Sequence, residues 1–149
     1  MITAYNHTSF TVADMDRSVR FWTGAMGFRA ASVSPRSGSW QATVTGVEGA
    51  EILVAHLHGH GLHLELIEYV GGGVPGQPID PNMPCAAHLC FEVADIEATW
   101  RGLIDAGATP QGEIAKVTDG AVKGARAGYL RDPDGIVIEL VELPGGIGV

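Results

Sequence analysis

Four side chains in this sequence have the types needed to share a metal ion: His7, Glu65, His88 and Glu139. Two imidazoles and two carboxylates suit one borderline divalent ion such as Zn²⁺, Ni²⁺, Co²⁺, Mn²⁺ or Fe²⁺. No thiolate stands with them to suggest an iron–sulfur cluster or a structural zinc site. Repetition is what groups the four. His7-Thr8-Ser9-Phe10-Thr11-Val12-Ala13-Asp14 lies over His88-Leu89-Cys90-Phe91-Glu92-Val93-Ala94-Asp95, with His, Phe, Val, Ala and Asp identical and no gap. Leu64-Glu65-Leu66-Ile67-Glu68 matches Ile138-Glu139-Leu140-Val141-Glu142 in the same way. The His-to-Glu separations, 65 − 7 = 58 and 139 − 88 = 51, differ by an amount one loop can absorb. A lone His or Glu in a strand is ordinarily a cap or half of an ion pair. The same two at matched positions in both copies point to a shared task.

The elements that must position these residues follow from periodicity. In strands, alternation puts Thr8, Phe10 and Val12 on one face and His7, Ser9 and Thr11 on the other, with the same split in the second copy. Leu64 and Leu66 oppose Glu65, and Ile138 and Leu140 oppose Glu139. Each half can therefore give an apolar face to a helix and project a His and a Glu from the opposite face. A carboxylate flanked by Leu or Ile in a central strand is costly to bury unpaired, and a metal is a common partner. Helices are predicted over 15–27 and 96–107, with Asp14 and Asp95 as N-caps and Gly27 and Gly107 as stops. Further strands are predicted over 28–34, 51–57, 112–117 and 125–130. Asp132-Pro133-Asp134-Gly135 forms a turn. Each half is thus βαβββ, and the class is α+β with two tandem modules, 1–70 and 85–143, in one domain of 1–149. The Gly- and Pro-rich stretch 71–84 links them. Residues 37–49 form a loop or short helix inserted in the first half.

The bulk properties narrow the partners. The chain has 149 residues, 46% of them hydrophobic and 17% charged, with a formal net charge of −8. That is a globular composition. It carries no basic patch for nucleic acid and no apolar run of membrane-spanning length. The N-terminal residues lack the pattern of a secretory signal, so a cytoplasmic protein with a small-molecule substrate is expected. Cys85 and Cys90, placed on one predicted strand and facing opposite sides, are expected to be free thiols.

At these residues the chain resembles the vicinal oxygen chelate superfamily, which includes glyoxalase I, methylmalonyl-CoA epimerase, extradiol dioxygenases and the fosfomycin and bleomycin resistance proteins. The most specific pieces are the paired His-x-x-Phe-x-Val-Ala-Asp segments and the run from Tyr129-Leu130-Arg131-Asp132 to Ile138-Glu139-Leu140. The resemblance implies two βαβββ modules as curved sheets around a metal cleft, with His7, Glu65, His88 and Glu139 as ligands. A homodimer is implied too, and open sheet edges also need covering.

Ligand count bears on the reaction. Four protein ligands on a six-coordinate ion leave two positions, enough for two substrate oxygens but not also for O₂. Glu65 thus favours a glyoxalase-type lyase, isomerase or epimerase acting on a small carbonyl or thioester substrate through a metal-stabilised enediolate. The alternatives are a metal-dependent ring-cleavage dioxygenase and a metal-free, drug-binding resistance protein.

In glyoxalase I an Arg and an Asn that help hold glutathione occupy the positions of Thr11 and Tyr69. The epimerase has Gln in place of Glu65. The pattern is most similar to the bacterial glyoxalase-like group. By this resemblance Glu139 is the first choice of catalytic base and Glu51, at the head of its strand, the second. Glu92 shares the face of His88 and is a candidate partner for it.

His56, His58, His60 and His63 are expected at a solvated hairpin tip, with His63 alone on the face of Glu65. Lys123 and Arg126 are candidates for holding a substrate anion. Trp40, Trp22 and Met83 are candidate pocket walls, with Trp22 assigned to the core.

Overall fold

The computed structural model describes residues 1–145, so the last four positions of the 1–149 domain lie outside the described residues. The chain divides into two compact units, Met1–Gly76 and Gln77–Val149. Among the described residues, no helix is long and apolar enough to cross a membrane.

The first unit holds β1 (Thr8–Thr11), α1 (Met15–Gly24), β2 (Arg29–Arg36), α2 (Ser39–Thr45), β3 (Glu51–Gly59) and β4 (Leu62–Gly71). Its sheet runs β1-β4-β3-β2, with β1 and β4 parallel and the other pairs antiparallel. Asp14 caps α1 by accepting from Arg17 N at 2.9 Å, and Glu68 Oε2 accepts from Met15 N at 2.8 Å. Two of the four orphan N–H groups of the first turn are thereby satisfied. Met15, Ser18, Phe21 and Trp22 recur at helical spacing as the buried face of α1. Trp22 is fully buried and meets Phe21 and Phe28 edge-on. The inserted segment 37–49 contains α2, which closes on Gly46 in the left-handed conformation. β3 and β4 join through His60 and Gly61, both at positive φ (52° and 75°), the twist a two-residue turn needs to keep its strands paired.

The second unit holds β5 (His88–Glu92), α3 (Ile96–Asp105), β6 (Thr109–Pro110), β7 (Ala115–Lys116), β8 (Arg126–Arg131) and β9 (Val137–Glu142). Its sheet runs β5-β9-β8-β6, with β7 also on β8, and β5 is parallel to β9. The capping repeats: Asp95 accepts from Ala98 N at 2.9 Å, and Glu142 Oε2 from Ile96 N at 2.8 Å. Ile96, Leu103, Leu130, Ile138 and Leu140 form the core of this half. In the turn after β8, Asp132 Oδ1 accepts from both Asp134 N and Ile136 N at 2.9 Å, and Gly135 takes φ 89°.

Two expectations need correction. The strand predicted over 112–117 is two short pieces. Gln111 N and Gly112 N both donate to Tyr129 O, at 2.9 and 3.4 Å, a bulge that interrupts the ladder between β6 and β7. Cys85 and Cys90 do not share a strand, because Cys85 lies before β5 with φ 72°. Both are free and lie at exposed positions, although neighbouring groups partly screen the Cys90 sulfur from water.

Candidate functional site

The parallel pairings place the candidate ligands. In the first unit Ser9 is registered with Glu65, and in the second Cys90 with Glu139. Stepping back two residues along β1 and β5 stays on the same face, which brings each His beside its Glu. His7 Nε2 lies 3.4 Å from Glu65 Oε1, and His88 Nε2 lies 3.0 Å from Glu139 Oε2. Asn6 Oδ1 is 2.7 Å from His7 Nδ1, which orients that ring with Nε2 toward the carboxylate.

The donors fit a metal. Ligand bonds of about 2.0–2.2 Å give an N–O edge of about 2.9 Å in octahedral and 3.4 Å in tetrahedral geometry, and both pairs fall in that range. The carboxylates are recessed and the imidazoles more open, with side chains 17% exposed for Glu65 and 20% for Glu139, against 34% and 42% for His7 and His88. Among the described residues of either unit, no group of three or more His, Cys, Asp or Glu is arranged around one ion. Each His–Glu pair by itself offers two donors.

The two faces differ beyond their shared pair. Across the antiparallel ladder, Glu65 is registered with His56 and His63 with His58, whereas Glu139 is registered with Tyr129 and Val137 with Arg131. His56 and His58 therefore join His63 on the face of Glu65. The expectation that His63 stood there alone fails because the two-residue turn at His60–Gly61 sets the parity of β3. His60 is not a free tip residue either: its Nε2 lies 2.8 Å from Met26 O, and its ring meets Phe28.

The neighbours titrate accordingly. Burial pushes the Cys90 thiol up to about 11, with Glu139 adding to the shift through charge and a hydrogen bond. Burial, Glu139 and Cys90 together raise Tyr129. Burial lowers His56, against an opposing pull from Glu65.

Other candidates stand elsewhere. Glu51 is exposed, opposite Gly71 and five residues before His56, about 17 Å along the strand. Glu92 ends β5, exposed, opposite Val141. Arg126 pairs with Glu97 and lies 3.8 Å from Glu142, so its charge is already engaged within the second unit. It opens β8, and Lys123 is exposed in the turn that precedes that strand. Trp40 and Met83 are exposed. Thr11 and Tyr69 line one cavity of about 610 Å³ together with Glu68 and Val47.

Glu68 and Glu142 were missed as functional parts of the repeat. Three residues from Glu65 and Glu139, they fall on the helix-bearing face and cap α1 and α3. Their repetition in the sequence was the available signal.

The family model described as Glyoxalase/Bleomycin resistance protein/Dioxygenase superfamily matches residues 4–140. A 2-epi-5-epi-valiolone epimerase from Actinomyces sp. is 32% identical over 149 residues, covering 96% of this chain and 81% of that protein. The crystal structure of a glyoxalase family protein from Bacillus cereus superposes with a TM-score of 0.81 at 22% identity, covering 97% of both chains. The fosfomycin resistance protein FosX from Listeria monocytogenes, in complex with Mn(II) and sulfate, gives a TM-score of 0.60 at 15% identity, covering 97% of this chain and 96% of that one.

Proposed function

The chain belongs to the glyoxalase/bleomycin resistance protein/dioxygenase superfamily, and from that premise we propose that it is a divalent-metal-dependent epimerase or isomerase of small carbonyl compounds. The observation that carries this reading is the duplicated His–Glu pair, His7 with Glu65 and His88 with Glu139, set on the same register in each sheet. Two such pairs make a four-ligand set, supplied by one chain or by two chains of a homodimer. The 32% identical relative is named an epimerase of a compound whose name denotes a ketone, and the FosX structure holds Mn(II). Both support the assignment.

Epimerisation beside a carbonyl breaks one C–H bond and remakes it from the opposite face. The four residues would hold a divalent ion, which when bound would supply Lewis-acid stabilisation of charge on a carbonyl oxygen. His7, Glu65 and His88 would hold the ion; Glu139 would also take the proton from one face of the carbon, and a proton from water would be returned to the opposite face. Its side chain is recessed but open enough to reach a substrate carbon. Cys90 beside it stays a protonated thiol at neutral pH and does not compete as a nucleophile. Glu51 stands far along β3 from Glu65, which ranks it behind Glu139 as the base. The surface is acidic, and the substrate is a small molecule taken from the cytoplasm.

The test is solvent-deuterium exchange, followed by proton NMR, on a panel of polyhydroxylated ketones that includes 2-epi-5-epi-valiolone. Exchange at the carbon next to the carbonyl is expected with metal-loaded protein. It should be lost on chelation, restored by adding the ion back, absent in Glu139→Gln and retained in Glu51→Gln. Exchange that survives complete removal of metal would sink the reading.

A further inference from the structure

We propose that His56 and His63 form a second cation site in the first unit, a two-imidazole chelate for Zn²⁺, Ni²⁺ or Cu²⁺ with Glu65 behind it. His56 Nδ1 lies 3.1 Å from His63 Nε2. Two imidazole nitrogens at about 2.0–2.1 Å from one ion stand about 2.9–3.4 Å apart, so the pair is already set at a chelating distance. The other nitrogen of His56 faces Glu65 Oε2 at 3.9 Å. At that separation Glu65 acts on His56 through charge rather than a hydrogen bond, which places a carboxylate behind the ring as metal-bound imidazoles commonly have. The ring of His58 stacks on His63 at 4.3 Å and limits its rotation.

Packing alone does not call for this pair. At the corresponding places of the second sheet, Tyr129 stands where His56 does and Val137 where His63 does, on the same parallel–antiparallel ladder. The backbone is thus served by side chains with no imidazole, and the first unit carries His56, His58 and His63 on one face. A cation has a way in. His63 and His58 line an open cavity of about 530 Å³ at the turn between β3 and β4. The site shares Glu65 with the His7–Glu65 pair, but both of its ligating nitrogens come from residues outside the four-ligand set, so its occupancy can be tested apart from the epimerase reading.

The test uses the full chain in a His7→Ala/His88→Ala background, which removes one ligand from each His–Glu pair. Metal-free protein is titrated with Zn²⁺ by calorimetry and its retained metal counted after desalting. One equivalent per chain is expected, lost on adding either His56→Ala or His63→Ala and kept on adding His58→Ala. With Cu²⁺ as the probe, electron spin resonance should show two imidazole nitrogens, falling to one in each single variant. Three results would overturn the proposal: no bound Zn²⁺ in the background protein, Zn²⁺ that survives both His56→Ala and His63→Ala, or Zn²⁺ removed by His58→Ala but not by His56→Ala. Failure of the epimerase reading has a different signature, since it leaves wild-type protein without an ion that depends on His88. Circular dichroism of each variant confirms that the fold is kept.

Discussion

Cys90 offers a built-in reporter of the Glu139 half-site. Burial and the adjacent carboxylate move its thiol from 9.0 to about 11. At about pH 8 an ordinary thiol of that type is roughly one-tenth thiolate, and Cys90 is about one part in a thousand, a hundredfold deficit. The deficit is partly offset because a more basic thiolate is a better nucleophile. With a Brønsted slope of about 0.4–0.5, two pKa units return a factor of about 6–10. Attack on a small disulfide reagent should therefore run about 10–16 times slower than with an unperturbed thiol. The rate should keep rising with pH until about 11. In a Cys85→Ser background only Cys90 reports, and the protein is kept metal-free so that no ion stands between the thiol and Glu139. Glu139→Gln removes the charge but not the burial, which is the larger cause. It should move the midpoint down and speed the reaction at about pH 8 severalfold. A midpoint at or below 9.0 in the parent, or a profile that Glu139→Gln leaves in place, would refute the placement of this thiol against this carboxylate.

Other consequences can be checked alongside. Glu68→Ala and Glu142→Ala each strip an acceptor from the first turn of a helix and should cost about 1–2 kcal/mol in urea unfolding, with Gln recovering part of it. His56 resists protonation in the folded state, its pKa lying below 6.5. Its contribution is therefore complete above that value and lost as pH falls toward the folded pKa, so metal-free protein should weaken on acidification and His56→Gln should flatten that part of the curve. A Cβ at Gly128 would come within 2.7 Å of the Trp100 ring. Gly128→Ala should accordingly lower stability by about 1–3 kcal/mol, read as a shifted denaturation midpoint.

The βαβββ order and the His–Glu faces were legible in the sequence because strand parity survives errors of a residue or two at the ends, and because a duplicated pattern checks itself. β2 and β3 each run two residues past their predicted ends, yet the faces of Glu65 and Glu139 stay as read. What could not be read depends on tertiary geometry. The parity of His56 relative to Glu65 hangs on how many residues the turn at His60–Gly61 uses, which composition does not specify. The bulge that splits β6 from β7 arises where two N–H groups share Tyr129 O, a three-dimensional event. Arg126 looked available for a substrate anion because Glu97 is 29 residues away in sequence and beside it in space. Glu68 and Glu142 were visible as repeats, but their role needed the helix start to be seen above them.

The central claim is that His7, Glu65, His88 and Glu139 hold one divalent ion. The most direct measurement is a crystal of metal-loaded protein with diffraction recorded on both sides of the metal's absorption edge. An anomalous peak is expected with both imidazole nitrogens and both carboxylates at about 2.0–2.2 Å, whether one chain or two supplies them. A peak held by only one of the two His–Glu pairs, or no peak at either, would contradict it.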